Sequence, residues 1–317
     1  MTLDVRPFGD GDIESAGRLL AARHVEHRRH EALLDPVFED AEAATAEVAA
    51  VWSSEGSSGA VALRDGTPVG YLLGAPKPDA TWGANVWIEA AGVAVTDAET
   101  ARDLYLVAAA RWVDEGRTAH YALVPSHDAA LVDAFFRLAF GLQHVHGVRE
   151  PMTEFVNPTV RRACHDDVPT LVELDFALLN HQAGSPVFAS AVGFTREEAH
   201  ADAEESIDSA DYEIFVAERD GQVVGGSVGC ALTKSSAHKG LARPDDAGFL
   251  GFAAVLPEAR GTGAGRAVGE AVLGWAGEAG YRSVVTDWRV TNLLSSRAWP
   301  ALGFRPSFFR LHRLVGH

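Results

Sequence analysis

A ten-residue pattern occurs twice in this 317-residue chain and limits the available folds more than any other feature. Val61-Ala62-Leu63-Arg64-Asp65-Gly66-Thr67-Pro68-Val69-Gly70 returns as Val216-Ala217-Glu218-Arg219-Asp220-Gly221-Gln222-Val223-Val224-Gly225. In each copy Asp-Gly separates two β-prone runs, which predicts a hairpin whose turn residues take positive φ. The likeness extends outward. Leu3-Asp4-Val5-Arg6 with Asp10 to Ile13 resembles Pro158-Thr159-Val160-Arg161 with Asp166 to Val168, each a strand leading into a capped helix. Asp35-Pro36-Val37-Phe38 resembles Ser185-Pro186-Val187-Phe188, and Trp112 with Gly116 parallels Trp275 with Gly280. A chain this long exceeds one ordinary core, so two copies of one domain plan are predicted. Pro151 and Pro158 bracket a short connector, which divides the chain into 1–150 and 151–317. Helices alternating with strands around a hairpin predict an α/β fold of the α+β mixed-sheet kind in each half.

The copies differ where a ligand would sit. In the second, the apolar run Gly248-Phe249-Leu250-Gly251-Phe252-Ala253-Ala254-Val255 is followed by Leu256-Pro257-Glu258-Ala259-Arg260-Gly261-Thr262-Gly263-Ala264-Gly265-Arg266. Ala267, Val268, Ala271, Val272 and Trp275 then recur at helical spacing. A strand, a glycine loop and a helix start bring bare N–H donors and the positive end of a helix dipole to one place, which suits a phosphate or diphosphate. A Walker loop requires Gly-Lys, and no lysine occurs here; the dinucleotide fingerprint requires G-x-G-x-x-G, whereas Gly261, Gly263 and Gly265 give G-x-G-x-G. By itself the loop is also compatible with a helix N-terminus that binds nothing. In the first copy the glycines are gone, and Asp97, Glu99 and Asp103 of Thr96–Asp103 would repel a diphosphate.

The pattern Arg260-x-x-Gly263-x-Gly265, the strand before it, the strand Ser283–Trp288 after it, and Asn292 placed eleven residues ahead of Gly303-Phe304 together resemble the GNAT superfamily of acyltransferases. The resemblance covers about residues 159–317. It implies a twisted mixed sheet that splays open between two neighbouring strands, with an acyl-CoA in the gap. The implied cofactor is acetyl-CoA or another acyl-CoA. Its thioester and pantetheine arm would lie on the backbone of Ala253, Ala254 and Val255. Its diphosphate would lie on Arg260, Gly261, Thr262, Gly263, Ala264, Gly265 and Arg266, and Asn292 would bond the arm or a water. The tandem layout makes 1–150 a degenerate GNAT-like domain that does not bind CoA, with Asp128 at the position of Asn292. Only one strand, about Ser307 to Val315, follows the Gly-Phe pair where the family usually has two, so a strand from the other domain or another chain is left open as its completion.

The family's usual catalytic residues are not at their addresses. The tyrosine expected seven residues after the asparagine is Trp299, followed by Pro300, and the strand glutamate is replaced by Phe252 or Gly251. Acyl transfer to an amine needs a base and benefits from an acid. Asp287 on the fifth strand is a candidate base or amine anchor, against a structural hydrogen bond. His181, expected in the loop between the first two helices, borders the substrate, and Ser296 or Ser295 would relay a proton to the thiolate, against a plain helix-surface role. The expected activity is acetyl-CoA-dependent N-acetyl transfer to a small-molecule amine by direct attack in a ternary complex. The alternatives are a catalytically decayed CoA-binding regulatory or interaction module, and a nicotinamide-binding enzyme.

The formal net charge of −17 opposes nonspecific contact with nucleic acid or an anionic membrane and favours a cationic acceptor. No apolar run is long enough to span a membrane, and the first residues do not read as a signal peptide. Two cysteines, Cys164 and Cys230, make neither a disulfide framework nor a zinc spacing, and are expected to be packed thiols in a reducing cytoplasm. No metal is expected. His24, His27 and His30, interleaved with Arg28 and Arg29, are read as a solvated basic helix rather than as metal ligands. The oligomer is left as monomer or homodimer.

Overall fold

The computed structural model describes residues 3–78, 80–189 and 194–316. The chain forms two compact units: residues 1–146 with 239–243 and 306–317, and residues 147–238 with 244–305. In the first half the elements are β1 (Leu3–Pro7), α1 (Ile13–His30), α2 (Ala41–Trp52), β2 (Ser58–Arg64), β3 (Thr67–Gly74), β4 (Asn85–Ile88), β5 (Val93–Val95), α3 (Ala98–Asp114), β6 (Ala119–Pro125), α4 (Ala129–Phe136) and β7 (Gly141–Arg149). The second half supplies β8 (Val160–Arg162), α5 (Val168–Ala183), α6 (Arg196–Asp208), β9 (Tyr212–Arg219), β10 (Gln222–Ala231), β11 (Ala247–Val255), α7 (Ala264–Glu278), β12 (Ser283–Arg289), α8 (Ser295–Ala301) and β13 (Arg305–Leu314).

The repeat is structural as well as sequential. Both Asp-Gly hairpins form with two left-handed residues, φ +50° and +82° at Asp65 and Gly66, +53° and +75° at Asp220 and Gly221. This is the turn whose twist suits a two-residue β-hairpin. Each half opens with one device. Asp12 accepts from Arg6 at 2.7 and 2.8 Å and from the Gly9 amide, while Asp167 accepts from Arg161 at 2.6 and 2.9 Å and from the Cys164 amide. The bidentate arginine holds both carboxyls below the ordinary carboxylate range. A third shared feature explains the paired tryptophans. A Cβ on Gly74 would lie 2.7 Å from Trp112, and one on Gly229 would lie 2.9 Å from Trp275, so in each half a helix tryptophan seats on a bare strand glycine.

In the first unit β1-β2-β3-β5 make one antiparallel sheet, and β4, β6, β13 and β7 lie in that order, β4 parallel to β6. The final strand therefore belongs to the first unit, where Phe308 to Leu314 pair antiparallel with Pro125 to Ala119. The single strand after Gly303-Phe304 thus pairs within the first unit. The expectation for the histidines of α1 is overturned. His24 and His27 are buried, and only His30 is exposed. His24 packs edge-on against Phe38, and His27 stacks on His127 and meets Phe308. Burial, the largest cause for each, pushes His24 down to about 4 and His27 to about 2, so both are neutral core residues. Among the described residues no helix is long and apolar enough to cross a membrane, and no cluster suited to a metal ion occurs.

Candidate functional site

In the second unit the strands run β12-β11-β10-β9-β8. β10 pairs with β11 along almost its whole length, from Gly225 opposite Val255 to Ala231 opposite Gly248. β12 pairs with β11 only at Ala247, Gly248 and Phe249. Beyond Phe249 the two parallel strands part, held at the fork by the Thr286 hydroxyl, which donates to the Leu250 carbonyl at 2.9 Å. The register with β10 slips at the same point, because Leu250 faces Gly229 and Phe252 faces Val228 while Gly251 is left over. That extra residue is a bulge, a device that re-aims a strand and is over-represented beside active sites. Burial reports the opening. Ala247, Gly248 and Leu250 are buried, whereas Gly251 is exposed and Phe252 to Val255 are half-buried, although the strand lies between two others.

The loop after β11 turns toward α7 through two left-handed glycines, Gly261 at φ +78° and Gly263 at φ +95°. Gly263 is the N-cap of α7 and, having no side chain, leaves the first turn uncapped. The amides of Ala264, Gly265 and Arg266 therefore face outward with no intrahelical acceptor. Gly265 is needed for a different reason: a Cβ there would lie 3.2 Å from Val255 Cγ2, so it lets the helix start approach the strand. Thr262 turns its hydroxyl inward to the Ala259 carbonyl at 2.7 Å. Arg260 is exposed in the loop, while Arg266 lies along α7 against Glu270 at 2.7 Å.

Asn292 is 6 % exposed, and its Oδ1 accepts from the amides of Leu294 and Ser295 at 3.1 and 3.3 Å, which caps α8. The same oxygen lies 3.0 Å from His181 Nε2. An oxygen that already accepts can only accept again, so His181 donates through Nε2 and its neutral form keeps the Nδ1 lone pair. His181 lies in the last turn of α5 rather than in the loop where it was expected. It borders a cavity of about 1000 Å³ between α5, the β9–β10 turn and the Leu256–Arg260 stretch, with Glu173, Asn180 and Glu258 among its walls. Sequence reasoning missed the pairing of His181 with Asn292, since nothing local marks two residues this far apart.

The other predicted residues are placed as follows. Asp287 projects from β12 beyond the fork and is 24 % exposed. Ser296 is half-buried on α8, and Ser295 donates to the Asn292 carbonyl. Trp299 is 8 % exposed and packs against Phe304 and toward Gly269 of α7, so the family's tyrosine position carries a packing residue. Burial lifts the Cys230 thiol to about 11, which removes it as a nucleophile. Cys164, expected to be packed, is exposed, because it occupies the turn whose amide reaches Asp167.

Residues 182–304 match the acetyltransferase (GNAT) family. The match lies wholly within the second half of the chain. A GCN5-related N-acetyltransferase from Sphaerobacter thermophilus shares the fold along nearly the whole length, with 13 % identity, a TM-score of 0.55, and coverage of 98 % of this chain and 95 % of that one. A tandem GNAT protein from the clavulanic acid biosynthesis pathway aligns over 100 % of this chain and 99 % of its own at 14 % identity and a TM-score of 0.47. An aminoglycoside N-acetyltransferase solved with CoA aligns with 47 % of this chain and 88 % of its own at 21 % identity and a TM-score of 0.37. No protein of curated function matches the sequence.

Proposed function

We propose that the second unit is an acetyl-CoA-dependent N-acetyltransferase that passes the acyl group directly to the amine of a small molecule in a ternary complex. The observation that carries this reading is the parting of β11 from β12 just ahead of an uncapped helix start. The thioester and pantetheine amides would pair with the β11 backbone at Ala253, Ala254 and Val255. The diphosphate would take the amides from Gly261 to Arg266, with the exposed Arg260 as the cation and Asn292 at the arm. The neutral amine attacks the thioester carbon; the C–N bond forms, the C–S bond breaks, and CoA leaves as a thiolate. The amine's surplus proton goes to a base, for which His181 Nδ1 and Asp287 are the candidates. Ser296 is the proposed relay to the thiolate. A thiolate is a good leaving group, and holding the reactants together supplies much of the rate, so the packing role of Trp299 does not remove the activity.

The first unit is proposed to bind no CoA, for a reason visible in its own fold. Its counterpart of β11 is broken into β4, parallel to β6, and β5, paired with β3. The carbonyls at that break are already occupied: the Arg23 guanidinium donates to Ala90 at 2.7 Å and to Val93, and the Tyr71 hydroxyl donates to Ala91 at 2.7 Å. Burial lowers Arg23 to about 10. The start of α3 is capped by Asp97, with Glu99 in its first turn. A cationic acceptor, without nucleic acid or membrane, accords with the net charge of −17; the enzyme is proposed to act in the cytoplasm as monomer or homodimer.

Thermal shift with acetyl-CoA, longer acyl-CoAs and NAD(H) tests the reading. A rise with CoA esters only, abolished in Gly263→Glu, is expected. Stabilisation by NAD(H) alone, or an undiminished rise in that variant, refutes it. Turnover of acetyl-CoA on an amine panel separates an enzyme from a binding module.

A further inference from the structure

His238 lies on the connection between β10 and β11, is fully buried, and stands behind Asp287 with its Nε2 3.9 Å from Oδ2. Its Nδ1 is 2.8 Å from the Ser235 hydroxyl, which accepts from the Ala237 amide at 3.3 Å. A hydroxyl has one proton to give. The Ala237 amide takes one of its two lone pairs; the arrangement in which the hydroxyl donates to His238 Nδ1 is the one that puts the imidazole proton on Nε2, the nitrogen facing Asp287. The Phe249 ring, 5.3 Å away at 61°, holds the imidazole plane.

The location is informative. Asp287 follows Thr286, whose hydroxyl makes the last tie between the strands before they part. Side chains alternate along a strand, so Asp287 faces away from the buried Trp288. On β11, a Cβ at Gly248 would meet Ala276 of α7, which puts Phe249 on the opposite side of the sheet. Past the bulge, Phe252 and Ala254 pack with the core beneath α5 and α6. Asp287, His238 and Phe249 thus share the α5 side of the opened sheet, the side that also carries His181. A partly exposed carboxylate with a buried imidazole behind it has the charge to attract a cation.

We propose that His238 is a positioning residue for Asp287, and that the carboxylate it orients binds the acceptor amine in its ammonium form. This rests on the second unit being the acetyl-CoA site, and it narrows the acceptor to a molecule that arrives as a cation. The test uses the full chain with CoA. Multiple-bond 15N–1H spectra read the His238 tautomer: the proton on Nε2, and ring nitrogen signals displaced in Asp287→Asn, are expected. n-Butylammonium chloride should then give a saturable carboxyl shift at Asp287. Its affinity should fall at least about tenfold in His238→Leu and recover in His238→Gln, whose amide N–H replaces the donor. Thermal stabilisation by acetyl-CoA should be the same in all variants. His238 signals indifferent to Asp287→Asn, or no saturable response at Asp287, overturn the proposal; if His238→Leu does not fold, those two measurements decide. A wild-type chain that ignores CoA overturns the site reading instead, and the coupling of His238 to Asp287 is then read in the same spectra without CoA.

Discussion

Gly263→Ala isolates what the loop backbone contributes to acyl-CoA binding. At φ +95° the residue is left-handed, and a Cβ added there would meet nothing within 4 Å. The substitution therefore introduces no clash, only the conformational penalty of an L-residue in that region, ~1–2 kcal/mol. If the loop keeps its shape, that penalty appears as lost stability; if it relaxes to negative φ, the amides of Ala264 to Arg266 turn away and binding suffers. Charged entirely to binding, the penalty weakens acetyl-CoA roughly 5–30-fold. Calorimetric titration and thermal unfolding of one preparation read both shares. Gly66→Ala is the control, because Gly66 is left-handed at φ +82° with open space around it, in the first-unit hairpin. It should cost similar stability and leave acetyl-CoA affinity unchanged. Gly263→Ala that loses neither stability nor affinity, or Gly66→Ala that weakens acetyl-CoA equally, refutes the reasoning.

Two further outcomes follow from burial. His24 is neutral in the fold with a value of about 4, against 6.5 when unfolded, so the unfolded chain binds more protons between those values. Its contribution is intact above pH 6.5 and is lost as pH falls from 6.5 toward 4, in all ~3 kcal/mol; His27 behaves alike toward about 2. Urea unfolding of the first-unit signal at pH 7.5 and pH 5 should show His27→Leu losing less stability on acidification than wild type, by ~2 kcal/mol, and equal losses would count against the assignment. Trp299→Tyr restores the family's residue type at a position whose ring is packed toward α7. It should not raise kcat on any accepted amine, and a clear gain would show that the new hydroxyl reaches the thiolate.

The features legible in the sequence were those set locally. Asp65-Gly66 and Asp220-Gly221 specify their turns by their own φ preferences, and the glycine loop declares itself by composition. Helical spacing placed His24 and His27 on one face but carried no information about whether that face meets water; His127 and Phe308, distant in the chain, decide it. The same limit hid the bond between His181 and Asn292 and the pairing of His238 with Asp287, since each joins elements that only the folded sheet brings together. The missing glycines of the first copy were legible, but Arg23, which bonds the Ala90 and Val93 carbonyls at the break between β4 and β5, comes from α1, far from the loop that was lost.

The placement of β13 has a consequence for synthesis. Strand β6 is complete at Pro125, yet its antiparallel neighbour is complete only at Leu314, much later in the chain. At ordinary elongation rates the ~190 residues between Pro125 and Leu314 take roughly 10–40 s. Through that interval the first unit carries an unfilled sheet edge, so the second unit, whose residues end at Arg305, is fully synthesised before the first.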